Sequence, residues 1–433
     1  MPLITVNSSL ERILKGKRTC PTLLAHARIT RDGTLQSLEP SMLCAEHRAL
    51  ITATVPLLET GGEALTHHFY KLLLAEHPEV RPLFNQAHQA SGDQPRALAN
   101  GVLMYAKHID RLDQLGGLVS QIINKHVALQ VLPEHYPIIG SCLLRAIREV
   151  LGEEIATDDV IDAWAAAYGQ LADILIDSEE QLYSATANAA GGWRGARAFR
   201  IARKVAESAE ITSFYLEPED GGAVVAHQPG QYIGLRLQIE GQEVRRNYSL
   251  SAASNGRDYR ISVKREPGGV ASNALHRMEP GARLELFAPA GDFTLQPSEK
   301  PLVLISGGVG ITPTMAMLEE AITTDRPIHF IHCARNADAH AFRQTIDALA
   351  ERHSHLKRFY CYDEHRSEGF EPDAIGLMTE ERLDAWLPAD RNLDAYFLGP
   401  KPFMAAIRRQ LRALGVPEQQ ARYEFFGPAS ALE

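Results

Sequence analysis

"PLVLISGGVGITP", residues 301–313, passes from an apolar run through a glycine loop into a segment that opens on a proline. The short apolar run reads as a buried strand. Gly308, Gly310 and Pro313 spell G-x-G-x-x-P, where the dinucleotide fingerprint would carry a third glycine. Glycines let a backbone approach a pyrophosphate at a helix N-terminus, and proline suits a first helical turn. Downstream, "IHFIHCA", "RFYCYDE" and "DAYFLG" alternate with helical segments such as "PFMAAIRRQLRALG". That alternation predicts a parallel, doubly wound α/β sheet over 299–433. In such a sheet the residue closing the second strand meets the adenosine ribose, and here it is Arg335, with no carboxylate until Asp338. Arginine there accommodates a 2'-phosphate, so NADPH is expected as well as NADH; stacking on adenine or plain solvation of Arg335 would serve either nucleotide.

Upstream, "FRIARKV", "ITSFYLEPE", "QYIGLRLQI", "YRISVKRE" and "ARLELFAP" alternate at period two between turn-forming stretches. A small antiparallel β-barrel over 195–298 is the expectation. Within it "RRNYSL" carries R-x-Y-S. Arg246 can pair with a pyrophosphate, Tyr248 can lie along an apolar ring system, and Ser249 can hydrogen-bond a ring nitrogen. "GGVASNALH", 268–276, leads glycines into a short helix whose first amides, with Ser272, can cradle phosphates. A glycine hairpin before an amphipathic helix would look the same.

From 43 to 183 the period is helical, with breaks expected at Pro56, Pro78 to Pro82, "SGDQP" and Pro133. An all-α domain over 42–183 follows, then a small-residue linker over 184–194. His126, Tyr136 and Glu179 each fall on an apolar stripe of a different helix. A lone histidine on such a face is more often a packed core residue than a ligand. A buried glutamate is rarely unpaired, however, so the three are better read as one His, Tyr and Glu network of the kind that orients a metal-ligating imidazole. With no CxxCH, haem held by one proximal histidine is the suggestion.

The composition bounds the rest. A net charge of -10 over 433 residues argues against a nucleic-acid partner, and no run approaches the ~18 apolar residues of a membrane span. Five scattered cysteines offer no zinc or disulfide framework. Residues 1–41 carry six Lys/Arg against three acids and are expected to be a disordered extension or the product of a start placed too far upstream. The body of the chain reads as cytoplasmic.

Four segments carry a resemblance: "THHFYKLLLAEHPEVRPLFN", "GDQPRAL", "NKHVALQVLPEHYPIIG" and "DAWAAAYGQLADILID" are similar to the globin half of the flavohaemoglobins. The order R-x-Y-S, G-x-G-x-x-P and a C-terminal aromatic resembles the ferredoxin-NADP reductase-like module of the same family. The resemblance implies haem b with His126 on the iron and Tyr136 and Glu179 behind it. It puts Tyr70 and Gln94 over bound oxygen, Leu98 at the access route and Phe84 against the porphyrin, although Tyr70 and Phe84 could be plain core aromatics and Gln94 a solvated helix-start residue. It implies FAD on Tyr232, Arg246, Asn247, Tyr248, Ser249, Gly269, Ser272, Phe425, Phe426, Gly427 and Pro428, with Phe426 covering the flavin. NAD(P) falls to Gly308, Val309, Gly310, Ile311, Thr312, Pro313, Arg335, Gly399 and Pro400, and Lys125 and Glu424 tune the two redox centres. The family's cysteines in "CGP" and "ECFGP" are replaced by Leu398 and Phe425, which puts the rate of hydride transfer in question.

The activity implied is that of a nitric oxide dioxygenase: NAD(P)H reduces FAD, FAD reduces haem, and nitric oxide and oxygen become nitrate, with small molecules as the partners. Two rivals stand beside it. One is an oxygen-binding or sensing haemoglobin with its own ferric-haem reductase, and the other is a haem-free flavin reductase with a helical partner-binding domain.

Overall fold

The computed structural model describes residues 43–364 and 370–427. The expected extension 1–41 lies outside them. Backbone contacts divide the chain into two units. One runs to Ile123 and resumes over Val131–Leu182; the other joins Asn124–Gln130 to everything from Tyr183 on.

The first unit is helical. α1 (Ala45–Glu76) packs against α3 (Asp93–Lys107) and α5 (His135–Leu151), with the short α2 (Gln86–Ala90) leading into α3. Helices α4 (Gly116–Leu129) and α6 (Asp158–Asn188) each run from one unit into the other. Pro56 does not break α1, contrary to the break expected there. Proline removes the bond to residue i−4, but Pro56 and Thr52 both face solvent, where water can take the freed carbonyl. The opposite face, with Ile51, Leu57, Leu58, Leu65, Phe69 and Leu73 buried, outweighs that cost of about 3 kcal/mol, since one buried Leu or Phe is worth about 1.5–3 kcal/mol. α3 is tied to its neighbours by Thr66 Oγ1 donating to the Pro95 carbonyl at 2.8 Å and by Tyr105 donating to the Ala167 carbonyl at 2.9 Å. α6 begins after Thr157 as expected, yet the Thr157 hydroxyl is buried without a partner rather than capping the helix. The same helix continues to Asn188, past the seam read at 183.

The second unit holds two six-stranded sheets. The first comprises β1 (Arg197–Ala206), β2 (Ile211–Pro218), β3 (Tyr232–Ile239), β4 (Gln242–Ser249), β5 (Tyr259–Lys264) and β6 (Arg283–Leu286), all antiparallel in the order β4-β3-β6-β1-β2-β5. It is not a continuous closed barrel: beside β4 and β5 at its two edges, only an isolated bridge from Leu250 to Ile261 forms. Between β5 and β6 lies α7 (Val270–Arg277).

The second sheet is parallel throughout: β7 (Leu302–Gly307), β8 (Ile328–Ala334), β9 (Leu356–Tyr362), β10 (Ala374–Ile375), β11 (Asp394–Leu398) and β12 (Ala421–Tyr423), in the order β10-β9-β8-β7-β11-β12. α8 (Ile311–Ala321), α9 (Arg343–Arg352), α10 (Glu380–Trp386) and α11 (Lys401–Ala413) link these strands. Separate apolar clusters on the two sides of the sheet, around Leu304 and Phe330 and around Ile305 and Phe397, make it the doubly wound arrangement expected from alternation. Strand order reverses between β7 and β11, and in such sheets ligands bind outside the strand ends at that point.

Candidate functional site

Groups of the expected residues come together within each unit; His126 belongs to the second unit and its expected partners Tyr136 and Glu179 to the first. In the helical unit Tyr70, on α1, is buried, with Phe84 edge-on at 5.5 Å. Its hydroxyl is hydrogen-bonded by Gln89 and Gln94, and Gln89 Nε2 donates to Gln94 Oε1 at 2.9 Å. Burial pushes the Tyr70 pKa up against those bonds, so its proton stays available for donation. Gln94 is presented by a sharp entry into α3, where Gly92 at φ 74° takes the left-handed conformation that glycine tolerates. Leu98, one turn on, packs against the helical core. The sequence reading missed Gln89, because α2 is a single short turn without apolar periodicity.

Tyr136 donates to Glu179 Oε1 at 2.6 Å with both side chains buried, and Tyr168 donates to the Tyr136 carbonyl at 2.7 Å. A buried carboxylate in a charge-assisted bond to a phenol strengthens whatever hydrogen bond that phenol's oxygen accepts. His126 is half-buried near the end of α4, in the Asn124–Gln130 segment. A neutral phenol donor with amide partners and a phenol–carboxylate pair are donor sets that fit a haem with a diatomic ligand.

In the antiparallel sheet β4 carries Arg246, Asn247, Tyr248 and Ser249, the last opposite Tyr232 on β3. Arg246 donates only to the neighbouring Arg245 carbonyl at 2.6 Å, and among the described residues no carboxylate pairs with it. Burial pushes its pKa down and Tyr248 opposes this, as expected of a guanidinium waiting for an anion. Asn247 Oδ1 is likewise buried without a partner. At Gly269 a Cβ would stand 2.5 Å from Ser272 Oγ, so a larger residue would displace the Ser272 hydroxyl before α7, whose N-terminus has no side-chain cap. Ser272 Oγ already accepts from the Glu266 amide at 3.2 Å. Unpaired guanidinium, unpaired amide and uncapped helix together fit a dinucleotide such as FAD.

At the strand-order reversal the glycines divide their work. Gly310 serves packing: a Cβ there would stand 2.4 Å from the Leu398 carbonyl oxygen, at the end of β11. Gly399 is held likewise by Phe403, 2.6 Å from its virtual Cβ. Gly308, at φ 55° with open space around it, is the glycine free to meet a pyrophosphate. Ile311 and Thr312 are buried, and the Thr312 hydroxyl donates to the Val309 carbonyl at 3.0 Å, so these two offer backbone amides rather than side chains. Pro313 lies buried in the first turn of α8, and exposed Pro400 precedes α11. Arg335, past the end of β8, is exposed and paired with Glu210, a partner the sequence did not suggest.

Lys125 and Glu424, read as tuners of separate centres, are electrostatic neighbours in the second unit. Lys125 Nζ donates to the Gly427 carbonyl at 2.5 Å. Burial pushes the Glu424 carboxyl up to about 8, with Lys125 opposing and Asp292 reinforcing the shift. Burial also pushes Lys125 down, against both carboxylates. Phe425 packs edge-on to Tyr423 at 5.8 Å, whereas Phe426 is 47% exposed and free to cover a flat ligand. Pro428 lies outside the described residues.

Comparison with known proteins follows the same division. Family models match at 67–175 (globin), 198–295 (oxidoreductase FAD-binding domain) and 304–409 (oxidoreductase NAD-binding domain). A flavohemoprotein of Pseudomonas putida is 70% identical over 393 residues, 90% of this chain and 100% of that one. One from Deinococcus radiodurans is 48% identical over 90% of this chain and 98% of its own. The crystal structure of a flavohemoglobin from Malassezia yamatoensis with bound FAD and heme superposes with a TM-score of 0.79 at 26% identity, covering 89% of this chain and 100% of that one. The FAD/NAD-binding domain of a nitric oxide dioxygenase from Vibrio cholerae matches at 40% identity with a TM-score of 0.50, covering 54% of this chain and 99% of that one.

Proposed function

The chain belongs to the flavohaemoproteins, NAD(P)H-dependent oxidoreductases that join a globin to FAD- and NAD-binding domains, and from that premise we propose that it is a nitric oxide dioxygenase, converting nitric oxide and oxygen to nitrate. The haem would be held by His126, with Phe84 and Leu98 against it, and the FAD by Arg246, Asn247, Tyr248, Ser249, Tyr232 and the amides after Gly269. When bound, the two groups supply hydride acceptance and one-electron chemistry at iron. The residues supply everything around them. Arg246 neutralises phosphate charge, and Gly308 with the amides of α8 receives the nucleotide pyrophosphate. Tyr70 holds its proton and donates it as a hydrogen bond, kept in place by Gln89 and Gln94. Glu179 polarises the Tyr136 hydroxyl, the arrangement that would make an imidazole ligand more electron-donating. A cytoplasmic setting, where NADH and NADPH are supplied by metabolism, suits this activity.

The observation that carries the reading is the buried Tyr136–Glu179 bond of 2.6 Å, since simple oxygen storage does not call for such a donor behind the ligand. Measuring NADH and NADPH consumption and nitrate release under oxygen, with and without nitric oxide, tests it. Consumption should rise steeply with nitric oxide, nitrate matching it. Glu179→Gln should slow nitrate formation by at least about tenfold, about 1.4 kcal/mol in barrier, while the haem content stays near that of the parent. Equal turnover in the variant would leave Glu179 a structural residue, and no nitric-oxide-dependent consumption would remove the activity.

A further inference from the structure

The parallel sheet carries a pair of thiols that neither redox centre uses. Cys333 on β8 and Cys361 on β9 are register partners in the ladder. Adjacent strands stand about 4.8 Å apart and partnered side chains leave on the same face. That separation lies inside the roughly 4.4–6.8 Å Cα window of a disulfide. Both cysteines are free, and each thiol shifts the pKa of the other. Cys361 donates in turn to the Gly376 carbonyl at 3.0 Å. A guanidinium nitrogen of Arg382 stands 3.9 Å from the same sulfur, anchored on the Leu377 and Ile375 carbonyls at 2.6 and 2.7 Å. The neighbouring Cys333 thiol and the Arg382 charge hold Cys361 below the usual thiol range, whereas the Cys361 thiol and burial push Cys333 up. Cys361 is buried and Cys333 only half-buried, so a small molecule meets Cys333 first. A fixed cation beside a thiol in contact with a second thiol is the environment of a redox-reactive pair rather than of two inert core cysteines.

The position of the pair ties it to the nucleotide end of the sheet. Cys333 is the register partner of Gly307 on its other side, directly before the glycine loop, and lies two residues before Arg335. We propose that Cys333 and Cys361 form a reversible dithiol–disulfide site, oxidised by low-molecular-weight disulfides, whose closure weakens binding of the nicotinamide nucleotide.

The exchange balances without any group beyond that oxidant. Cys333, the thiol a small molecule reaches, loses its proton as it attacks one sulfur of the small disulfide, whose S–S bond breaks and expels a thiolate; its raised pKa makes this the slow step but also makes its thiolate the stronger nucleophile. Cys361 loses its proton and attacks the Cys333 sulfur of the mixed disulfide, forming the protein S–S bond and expelling the second thiolate. Two electrons leave the protein pair, the small disulfide is reduced to two thiols, and the two protons end on those thiols. Closing the bond draws the sulfurs to about 2.05 Å and leaves Cys361 with no proton to give Gly376. The ends of β8 and β9 must then shift beside Gly307.

The test uses the full-length holoprotein incubated with hydroxyethyl disulfide, then denatured, alkylated and peptide-mapped. A linked Cys333–Cys361 peptide pair, two hydrogens lighter than the separate thiols and released by dithiothreitol, is expected. NADH oxidation with a dye acceptor that takes electrons from the flavin should show a KM raised several-fold and restored by dithiothreitol; this readout does not depend on nitric oxide turnover. Cys333→Ser should give neither link nor KM change, and Cys361→Ser should stop at a hydroxyethyl adduct on Cys333. The proposal falls if both cysteines remain alkylatable, if the adduct accumulates on the parent without linking, if the link forms with KM unchanged, or if Cys333→Ser shows the same KM shift.

Discussion

Tyr70 and Glu424 show how burial sets the protonation state of one side chain. Tyr70 has amide partners and no base beside it, so burial keeps it a donor. Tyr70→Phe keeps the ring packed on Phe69 and Phe84 and removes one hydrogen bond, worth about 0.5–1.5 kcal/mol. Oxygen dissociation, followed by stopped-flow spectroscopy, should accelerate several-fold with the fold unchanged; an unaltered rate would count against the distal assignment. Glu424 is raised to about 8 by burial, with Lys125, Asp292 and Tyr232 in its field. Below that pH it is neutral, and as pH rises through it a negative charge develops that opposes adding electrons to a nearby flavin. The flavin reduction potential should therefore fall more steeply with pH above about 8 than below it. Glu424→Gln should remove that break in a spectroelectrochemical titration, and a break that persists would assign it to another group. For stability the sign is the ordinary one for a raised pKa: the contribution is full below the unfolded carboxylate range and is lost as pH rises to about 8.

At the scale of elements, the loop after β7 separates two uses of glycine that the motif alone cannot. Gly310 lacks a Cβ because the Leu398 carbonyl is there, and Gly308 because its φ is 55°. Gly310→Ala should force β7 and β11 apart, lowering the melting temperature of the reductase unit and raising the KM for both nucleotides. Gly308→Ala should cost only the roughly 1–2 kcal/mol of left-handed strain in stability. If the two variants behave alike, the packing argument is wrong. Most elements were legible, since strands at period two and helices at steps of three and four come from burying one face. Pro56 and α2 were not. Whether a helix survives a proline depends on what the other face buries, and a single turn such as Gln86–Ala90 is too short to show a period.

Across the whole second unit, the two sheets meet where Glu210, beside β2, pairs with Arg335, past β8, and where the Ala209 amide donates to the Asp338 carbonyl at 2.8 Å. Arg335 is therefore engaged before any nucleotide arrives, and a 2'-phosphate must compete with Glu210 for it. Arg335→Ala should raise the KM for NADPH at least several-fold, as loss of a charge-assisted bond of about 1.5–3 kcal/mol requires, and that for NADH less. Glu210→Gln should do the opposite, lowering the KM for NADPH relative to NADH. Equal changes for both nucleotides would make Arg335 a general adenosine contact.

Local patterns in the chain determined the order of domains, the strands and helices, and which motifs could hold haem, FAD and NAD(P), because periodicity, glycine loops and R-x-Y-S act through near neighbours. Apart from the Tyr136–Glu179 pair, which the apolar stripes suggested, pairings across long separations belong to the tertiary structure. Gln89 reaches Tyr70, Lys125 meets the field of Glu424, Glu210 takes Arg335, and Cys333 lies against Cys361. The same holds for Asn124–Gln130, within a stretch that reads as globin helix yet packs with the second unit. There the Ala128 carbonyl oxygen lies 1.9 Å from where a Cβ on Gly234 would be, and Arg245 donates to the Leu129 carbonyl at 2.6 Å. A hydrogen bond or charge acts over a few ångströms of space, whatever the distance along the chain, and only folding decides which residues share those ångströms.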